Sequence, residues 1–281
     1  MKRKRVILAD KIQISPNAYY LKFSFSNPQM VLGLATGKHI GIFAPMIPGK
    51  VHGKWNNGPD SEAGKSEITR KFTPISCDEM DIGYFALVVK IYRPSPKFPD
   101  GGRMSRYLEG LRVGSSIEVA GPFGNHQYIG RGRLADNGNE LIFKDCAMIA
   151  GGSGITPVLQ IVSAMLRDPS DQTRISLLYA NSTIDDILMR DHLDTLEKTY
   201  PTRFRVWYTV SQDPKQSSKH YSFADWRYST GRITKQMMRE HLPPPSSNNS
   251  IAIHCGPKAM MENVNRLLGE LGYSERRIVE Y

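Results

Sequence analysis

Ala150-Gly151-Gly152-Ser153-Gly154-Ile155-Thr156-Pro157 is the stretch that decides the fold. It follows an apolar segment, Cys146–Ala150, that predicts a buried strand, and it precedes Val158–Arg167, whose apolar spacing predicts a helix. Glycines at such a corner let the backbone approach a pyrophosphate, and the free N–H groups of the helix start attract the anion. A strand–turn–helix corner without a ligand has the same composition. The pattern of the surrounding sequence therefore has to distinguish a pyrophosphate-binding turn from a purely structural one.

Strand and helix patterns alternate around and beyond this corner, over residues 145–281. Such alternation is typical of a parallel sheet with helices on its faces, which predicts an α/β domain. Cys255-Gly256-Pro257 follows the last core strand, so Cys255 is expected in the same crevice as Thr156, although a lone cysteine before a turn is usually structural. The further expected strands and helices are Arg174–Ala180, Asp185–Thr199, Phe204–Val210, Thr234–Glu240, Ile251–Cys255 and Lys258–Gly269.

Residues 1–133 have a different pattern, in which short Ile-, Val-, Phe- and Tyr-rich segments are separated by Gly, Pro and Asn. This pattern predicts a six-stranded antiparallel barrel, interrupted by a helix near Met104–Gly110. Residues 134–144 contain Asp-Asn-Gly-Asn, which predicts a hairpin connecting the two domains. The polar stretch 46–67 is predicted to be a mobile surface loop without recognisable chemistry. The six segments are Val6–Ile14, Tyr19–Phe25, His39–Phe43, Arg70–Ile75, Tyr84–Tyr92 and Ser116–Val119.

The formal net charge of +10 lies wholly in the first half of the chain. Residues 1–135 contain 20 Lys/Arg and 10 Asp/Glu, whereas residues 136–281 contain 17 of each. This asymmetry favours an acidic protein partner for the first domain, although a merely solubilising surface fits equally well. Nucleic acid is the weaker interpretation, because the basic residues are scattered and not interleaved with aromatic ones.

The remaining composition is that of an ordinary globular protein, with 40% hydrophobic and 23% charged residues. No apolar run approaches the roughly 18 residues of a membrane-spanning helix. Met1–Arg5 is basic but is not followed by the apolar stretch of a signal peptide. Three widely spaced cysteines give neither a disulfide framework nor a zinc site. We therefore expect a cytoplasmic chain without a membrane anchor and without a metal.

Two segments of the first half carry candidate ligand-binding residues. Arg70-Lys71-Phe72-Thr73-Pro74-Ile75 supplies a cation, a ring and a hydroxyl, and strand alternation places Arg70, Phe72 and Pro74 on one face. Gly101–Leu108 is a glycine turn that leads into the short helix expected near Met104–Gly110, with a cation, Arg103, at the end that attracts anions. Arginine binds phosphate through two parallel bonds, which favours an anionic ligand here. An ordinary amphipathic edge strand also has the composition of the first segment.

Taken in order, eight segments resemble the NADH–cytochrome b5 reductase family, a branch of the ferredoxin-reductase-like flavoproteins. Within the family, Pro96–Gly102 and Tyr128–Gly132 are most similar to the C-terminal FAD/NAD(P)H domain of eukaryotic assimilatory nitrate reductase. The resemblance covers nearly the whole chain and implies an FAD-binding barrel followed by an NAD(P)-binding α/β domain. The eight segments are Arg70–Pro74, Val89–Tyr92, Gly101–Leu108, Gly121–Gly124, Gly151–Pro157, Tyr179–Arg190, His241–Pro244 and Cys255–Pro257.

The resemblance implies roles for the matching residues. Arg70 and Arg103 would neutralise the FAD pyrophosphate, and Phe72 would lie beside the isoalloxazine. Thr73, Thr156 and Cys255 form the implied catalytic set: Thr73 would bond the reactive edge of the flavin, Thr156 would reach flavin and nicotinamide, and Cys255 would orient hydride transfer without acting as a nucleophile. The rest of the implied FAD site is Pro74, Val89, Lys90, Tyr92, Phe98, Met104, Ser105 and Tyr281. The implied NAD(P)H site adds Lys90, Gly152, Gly154, Ile155, Asn181, Ser211, Gly256, Pro257 and Met260.

Three positions depart from the family pattern. Phe72 stands where the family usually has Tyr, which removes one hydroxyl contact to FAD. Tyr281 stands at the end of the chain where this branch usually has Phe. Ser211 stands where NADH-specific members carry Asp, whose carboxylate would bind the ribose hydroxyls and repel a 2′-phosphate. Serine removes that repulsion, so both NADH and NADPH are expected donors.

The function that follows is a two-to-one electron converter. Nicotinamide gives two electrons as a hydride, haem accepts one, and a flavin can do both. We expect an NAD(P)H-dependent FAD reductase that passes electrons to an acidic cytochrome b5-type haem, as the reductase domain of a nitrate reductase. The alternatives are a free-standing cytochrome b5 reductase, a ferredoxin–NADP reductase, and a basic binding module without redox activity.

Overall fold

The computed structural model describes residues 2–213, 226–246 and 249–281, and the chain divides into two compact units. The first unit consists of Met1–Leu34 and Lys38–Gly124, and the second of Ala35–Gly37 and Asn125–Tyr281. Within those described ranges, no helix is long and apolar enough to cross a lipid bilayer.

The first unit contains the expected six-stranded antiparallel sheet, in the order β6-β3-β8-β1-β2-β7. Each strand lies where the sequence predicts one, with shifts of a few residues at the ends. A short hairpin of β4 (Lys54–Trp55) and β5 (Gly58–Pro59) was not predicted and lies within the polar loop. The six strands are β1 (Lys4–Ser15), β2 (Ala18–Ser24), β3 (His39–Pro45), β6 (Glu67–Phe72), β7 (Tyr84–Lys90) and β8 (Ser116–Phe123).

The two edge strands of this sheet approach each other through the residues that follow β6. The strand ends at Phe72, earlier than predicted, because Pro74 has no N–H to donate and restricts the residue before it. Ile75 then donates its N–H to the carbonyl of Ala86 on β7 at 3.0 Å, and the Ala86 N–H donates to the Ser76 hydroxyl at 2.9 Å. The apolar side of the sheet encloses a core that includes Val6, Leu8, Leu21, Phe23, Ile40, Phe85 and Leu87.

The second unit contains the expected parallel sheet, in the order β15-β14-β13-β12-β16-β17. Its middle strand β12 is buried on both faces from Cys146 to Gly151, which explains its continuous apolar sequence. Strands β15 and β17 are short edge strands that the sequence did not predict. The six strands are β12 (Asp145–Gly151), β13 (Arg174–Asn181), β14 (Phe204–Val210), β15 (Ser229–Thr230), β16 (Ser250–Cys255) and β17 (Ile278–Glu280).

The helices follow the prediction with one correction. The helix expected over Asp185–Thr199 begins only at Arg190, because Met189 adopts a left-handed backbone with φ 58° that a continuous helix does not allow. A 3₁₀ turn, Ile184–Asp186, precedes it and is capped by the Thr183 hydroxyl. The helices are α1 (Arg103–Gly110), α2 (Ile155–Arg167), α3 (Arg190–Thr199), α4 (Lys235–His241) and α5 (Lys258–Leu271).

The predicted hairpin is present, but it belongs to the second unit. Strands β10 (Arg133–Asp136) and β11 (Asn139–Ile142) are joined through Asn137 and Gly138, which both have positive φ, as a two-residue hairpin requires. They pair with a further strand, β9 (His126–Tyr128), to form a three-stranded sheet. The compact units therefore separate at Gly124, whereas the sequence predicted a first domain of 1–133, a linker of 134–144 and a second domain of 145–281.

A buried carboxylate explains why the residues after Gly124 pack with the second unit. Asp171 has no exposed surface, and it accepts a hydrogen bond from the Tyr128 hydroxyl. It also accepts the N–H groups of Arg131 at 3.0 Å and Thr173 at 2.9 Å. These bonds join the segment 128–131 to the end of α2 and the start of β13, and no sequence motif marks them.

Candidate functional site

Two arginines of the first unit converge on one carboxylate. Arg70, on β6, donates two hydrogen bonds to Glu62 at 2.8 and 2.6 Å. Arg103, at the start of α1, donates to the same Glu62 at 2.7 Å and to Asp60 at 2.7 Å. The two guanidinium groups thus lie close enough to bind one anion. The role that the resemblance implies for Arg70 and Arg103, binding of the FAD pyrophosphate, stays a prediction.

The geometry around these arginines favours the charged states of their partners. Hydrogen bonds from Arg70 and then Arg103 hold the pKa of Glu62 at about 2. The pKa of Asp60 is likewise lowered by its hydrogen bond with Arg103. The Arg103 side chain is only 3% exposed, donates its Nε–H to the carbonyl of Ile47 at 2.9 Å and lies 3.8 Å from the centre of the Trp55 ring. Arg103 is therefore fixed on all sides, while Arg70 is 42% exposed.

The glycine turn before α1 brings backbone atoms close together. Gly101 has φ +68°, which favours glycine, and a Cβ on Gly102 would lie 2.5 Å from the Ser105 hydroxyl and 2.9 Å from Tyr92 Cβ. Ser105 is buried, accepts a hydrogen bond from the Tyr92 N–H at 3.2 Å and donates to the Gly102 carbonyl at 3.1 Å. The Ser105 hydroxyl thus already holds the turn that positions Arg103.

The other predicted FAD residues fall into two groups. Tyr92 and Phe98 present flat rings that are 52% and 50% exposed, while Phe72, Thr73 and Lys90 are half-buried. Pro74, Val89 and Met104 are buried, the last two in the hydrophobic core, so their side chains are not available to a ligand. The exposed rings fit a planar cofactor, and the role of each residue in this pocket stays a prediction.

The carboxyl ends of the parallel strands carry the predicted nucleotide-binding residues of the second unit. The chain order reverses between β12 and β16, the place where open α/β sheets bind ligands. Gly152 follows β12 with φ +53°, a 3₁₀ turn spans Gly152–Gly154, and α2 begins at Ile155. Thr156 is 8% exposed, and its hydroxyl donates to the carbonyl of Ser153 at 3.3 Å.

The two motifs of this unit are in direct contact. A Cβ on Gly154 would lie 2.3 Å from the carbonyl oxygen of Cys255, and one on Gly256 would lie 2.5 Å from Met260 Cε. A Cβ on Gly151 would meet Met260 Sδ at 2.4 Å and Pro257 Cδ at 3.0 Å. The Gly154 contact is with backbone, which cannot move aside as the flexible Met260 side chain can, so glycine is required at 154. Cys255 and the glycine turn therefore lie together, as the sequence predicted.

Cys255 is a thiol under physiological conditions. Burial, with a smaller contribution from the charge of Glu280, raises the pKa of its thiol to about 11. A thiolate is the nucleophilic form of cysteine, so this environment suits a packing or orienting group. The interpretation of Cys255 as a residue that orients a ligand without attacking it is consistent with this chemistry.

Asn181 ends strand β13 in an unusual state. It is 8% exposed, and neither its side-chain oxygen nor its nitrogen has a hydrogen-bond partner among the described residues. Such a buried amide costs free energy unless a ligand or water satisfies it. Its backbone carbonyl accepts the N–H of Ser211 at 3.0 Å, which places the exposed Ser211 next to it at the end of β14. This amide fits a polar ligand such as NAD(P)H.

Tyr281 packs within the second unit. Its ring centroid lies 4.9 Å from that of His126, and its N–H donates to the carbonyl of His254 at 3.1 Å. The Tyr281 hydroxyl is buried without a hydrogen-bond partner in the part of the chain that the structure describes. Burial raises the pKa of this phenol. Its assignment to the FAD site stays a prediction.

Sequence reasoning missed Asp60 and Glu62, the carboxylates that bind both arginines. They lie in the polar stretch 46–67, where nothing distinguishes them from solvent-exposed acids. It also missed His254, a buried histidine whose Nε2 lies 2.8 Å from Asn265 Oδ1. Burial lowers the pKa of His254, so it packs as a neutral ring on β16.

The chain matches two family models and several known proteins. Residues 59–128 match an oxidoreductase FAD-binding domain, and residues 148–266 match an oxidoreductase NAD-binding domain. Nitrate reductase (NADH) 1 of Nicotiana tabacum is 40% identical over 269 residues, which are 95% of this chain and 27% of that protein. Nitrate reductase (NADH) of Volvox carteri is 37% identical over 280 residues, 98% of this chain and 29% of that protein. The chain thus spans less than a third of these relatives.

A solved structure matches along its whole length. The cytochrome b5 reductase domain of Ulva prolifera nitrate reductase superposes with a TM-score of 0.86 at 35% identity, covering 100% of this chain and 97% of that one. The two sheets, their order along the chain and the two nucleotide-binding domains that the sequence predicted are confirmed by this match.

Proposed function

Because the chain belongs to the cytochrome b5 reductase family of FAD- and NAD-binding oxidoreductases, we propose that it passes electrons from NADH or NADPH to a cytochrome b5-type haem as part of a nitrate reductase. The observation that carries this proposal is the convergence of Arg70 and Arg103 on one anion position in the domain that matches the FAD-binding model. The identity of 40% to a plant nitrate reductase over 95% of the chain supports the proposal that the larger protein is a nitrate reductase.

FAD, when bound, supplies the ability to take a hydride and to release electrons singly. The chain's own residues bind FAD and orient it. Arg70 and Arg103 neutralise the pyrophosphate, and Phe72, Tyr92 and Phe98 offer ring faces for the flat parts of the cofactor. The Thr73 hydroxyl is assigned to the reactive edge of the flavin.

The nicotinamide nucleotide is assigned to the carboxyl edge of the parallel sheet. The Asn181 amide has the hydrogen-bonding capacity that a nucleotide satisfies, and the free N–H groups at the start of α2 favour its phosphates. Met260 and the glycine turn bound the space beside Cys255, whose neutral thiol packs against the nicotinamide without reacting with it. The Thr156 hydroxyl keeps its proton and donates a hydrogen bond to the backbone carbonyl of Ser153.

An acidic haem partner is proposed from the distribution of charge. The first unit carries 18 Lys/Arg against 10 Asp/Glu, and the second carries 19 against 17. A positive flavin-binding unit would speed encounter with an acidic haem domain and make the rate fall with ionic strength. Reduction of cytochrome b5 that does not slow between low and physiological salt would contradict this steering.

We assign a cytoplasmic location, because Cys77, Cys146 and Cys255 are all free thiols, as is usual in a reducing compartment.

The test is a comparison of acceptors with the purified chain. We expect NADH-dependent reduction of ferricyanide and of cytochrome b5, and a flavin absorption spectrum. We expect nitrate to stay unreduced, since these residues span only 27% of the tobacco enzyme. A colourless protein without ferricyanide reductase activity would instead favour a binding module.

The choice of donor is tested at Ser211. The exposed serine offers no charge to repel a 2′-phosphate, so kcat/KM values for NADH and NADPH should be comparable. Ser211→Asp should lower kcat/KM for NADPH about tenfold or more and should not lower that for NADH, because the carboxylate can bond the ribose hydroxyls. An NADPH efficiency of the unaltered chain that is about a thousandfold below the NADH value would rule out dual use.

A further inference from the structure

The polar stretch 46–67, here called the strap, is attached to the glycine turn before α1. Asp100, 5% exposed, accepts the N–H groups of Lys50 at 2.8 Å and Asn56 at 2.6 Å. Asn56 returns two bonds, accepting the Asp100 N–H at 2.8 Å and donating to the Gly101 carbonyl at 3.0 Å. The strap is therefore built onto the segment that carries Arg103.

The strap places its two carboxylates on the arginine pair. Glu62 bonds both guanidinium groups, and Asp60 bonds Arg103 alone. The strap also contributes the Ile47 carbonyl and the Trp55 ring to Arg103. One segment of the chain thus satisfies the Nε–H and both terminal nitrogens of a buried cation.

A phosphate that binds both arginines has to replace these carboxylates. The five N–H donors of a guanidinium lie in one plane, and the donors of Arg103 are directed at Ile47, Asp60 and Glu62. A phosphate oxygen and a carboxylate oxygen need the same donors and carry the same sign of charge, so the two anions exclude each other at this position.

Building on the proposed function, we propose that the strap is an internal competitor of the flavin: Asp60 and Glu62 occupy the arginine pair and are displaced by the FAD pyrophosphate. The strap keeps two neighbouring cations neutralised without FAD, and it sets how readily FAD enters and leaves. The apparent dissociation constant for FAD is then the intrinsic constant divided by the fraction of molecules whose strap is open. Glu62 stays ionised at neutral pH, since its pKa is about 2, so competition persists there.

The test measures FAD binding to deflavinated protein by the quenching of flavin fluorescence. Glu62→Gln removes the charge that bonds both arginines, and it should lower the dissociation constant about tenfold. Glu67→Gln is the matched control, because Glu67, the last residue of the strap and the first of β6, pairs with Arg3 at 2.6 Å and with neither Arg70 nor Arg103. The control should leave the dissociation constant unchanged. A Glu62→Gln constant that is equal to or higher than that of the unaltered chain would overturn the proposal.

A second measurement needs no variant. Lys54 and Lys65 are exposed in the strap, and trypsin should cleave there several-fold faster when FAD is bound, because FAD releases the strap. Cleavage that FAD slows or leaves unchanged would overturn the proposal.

These results are distinct from a failure of the proposed function. If neither the unaltered chain nor Glu62→Gln binds FAD, the assignment of the flavin site itself is wrong. If Arg70→Ala weakens FAD binding and Glu62→Gln does not strengthen it, the flavin site stands and only the competitor role of the strap is rejected.

Discussion

The two candidate sites treat their buried polar groups in opposite ways. In the first unit, Arg103 is nearly inaccessible, and each of its three side-chain nitrogens donates to a group of its own chain. In the second unit, the Asn181 amide is equally buried and has no hydrogen-bond partner among the described residues. A site of the first kind must exchange partners to accept a ligand, whereas a site of the second kind gains partners. The residues around Arg103 therefore satisfy one another's hydrogen-bonding groups, whereas the Asn181 amide still has the capacity to bond the nucleotide that we propose for it.

The largest expected effect is that of a substitution in the Arg103–Asp60–Glu62 network. Arg103→Ala would leave Asp60 and Glu62 without a cation, at side-chain exposures of 6% and 15%. Removing one partner of such a buried network costs about 3–5 kcal/mol of unfolding free energy. Urea denaturation of the flavin-free protein measures this loss. Arg3→Ala is the control, because the Arg3–Glu67 pair is exposed and screened by water, so its loss should lower the unfolding free energy much less. Equal losses for the two variants would contradict the comparison.

The next largest effect is expected from a substitution that displaces the backbone at the proposed nucleotide site. Gly154→Ala would put a Cβ 2.3 Å from the Cys255 carbonyl oxygen, so the turn or β16 has to shift. Displacements of about 1 Å at a site cost about a hundredfold in rate, and kcat/KM for NADH should fall accordingly. Gly269→Ala, on α5 with no atom within 4 Å, should keep full activity. Normal NADH kinetics for Gly154→Ala would mean that the close packing is not needed.

Asn181→Leu sharpens the contrast between the sites, since it should change stability and binding in opposite directions. Removing an amide without partners should raise the unfolding free energy by about 1 kcal/mol, while KM for NADH rises about tenfold. Calorimetry without nucleotide and steady-state kinetics measure the two effects. Asn265→Leu should instead destabilise the protein, because Asn265 bonds His254 at 2.8 Å. A lower melting temperature for Asn181→Leu would indicate that the amide is already satisfied.

The smallest effect is on the pH dependence of stability. The pKa of Glu62 is lowered from 4.5 to about 2 in the folded state, mainly by the hydrogen bond from Arg70. Its contribution to stability is therefore complete above the unfolded value and is lost as pH falls from about 5 toward about 2. The urea midpoint of the flavin-free protein should drop over this range, and less steeply in Glu62→Gln. If the urea midpoints of the unaltered chain and of Glu62→Gln fall in parallel with pH, Glu62 does not contribute to the pH dependence of stability.

The sequence predicted those parts of the fold that are encoded locally. β12 and the glycine turn were correct because an apolar run followed by Gly-Gly-Ser-Gly restricts the backbone directly. The hairpin at Asn137-Gly138 was correct because few residues adopt positive φ without strain. Arg70 and Arg103 were predicted to meet at one anion only through the family resemblance, since 33 positions separate them in the chain.

The features that were missed depend on contacts between distant segments. The carboxylates of Asp60 and Glu62 are indistinguishable in sequence from surface acids such as Glu79. The early unit boundary depends on Asp171, which receives bonds from Tyr128 and Arg131 some 40 positions earlier. The late start of α3 depends on the backbone of Met189, a residue with a good helix propensity. In each case tertiary bonding decided what local preference could not.

The division of the chain into two units limits how they can be exchanged by genetic recombination. Ala35–Gly37 packs with the second unit although the residues on both sides belong to the first. There, Thr36 accepts the Tyr128 N–H at 2.9 Å, and Gly37 donates to Gln160 at 2.7 Å. The polypeptide therefore passes between the units three times. A recombination event with one crossover at Gly124 would join residues 35–37 of one parent to residues 125–281 of the other, so the packing of the second unit would depend on both parents.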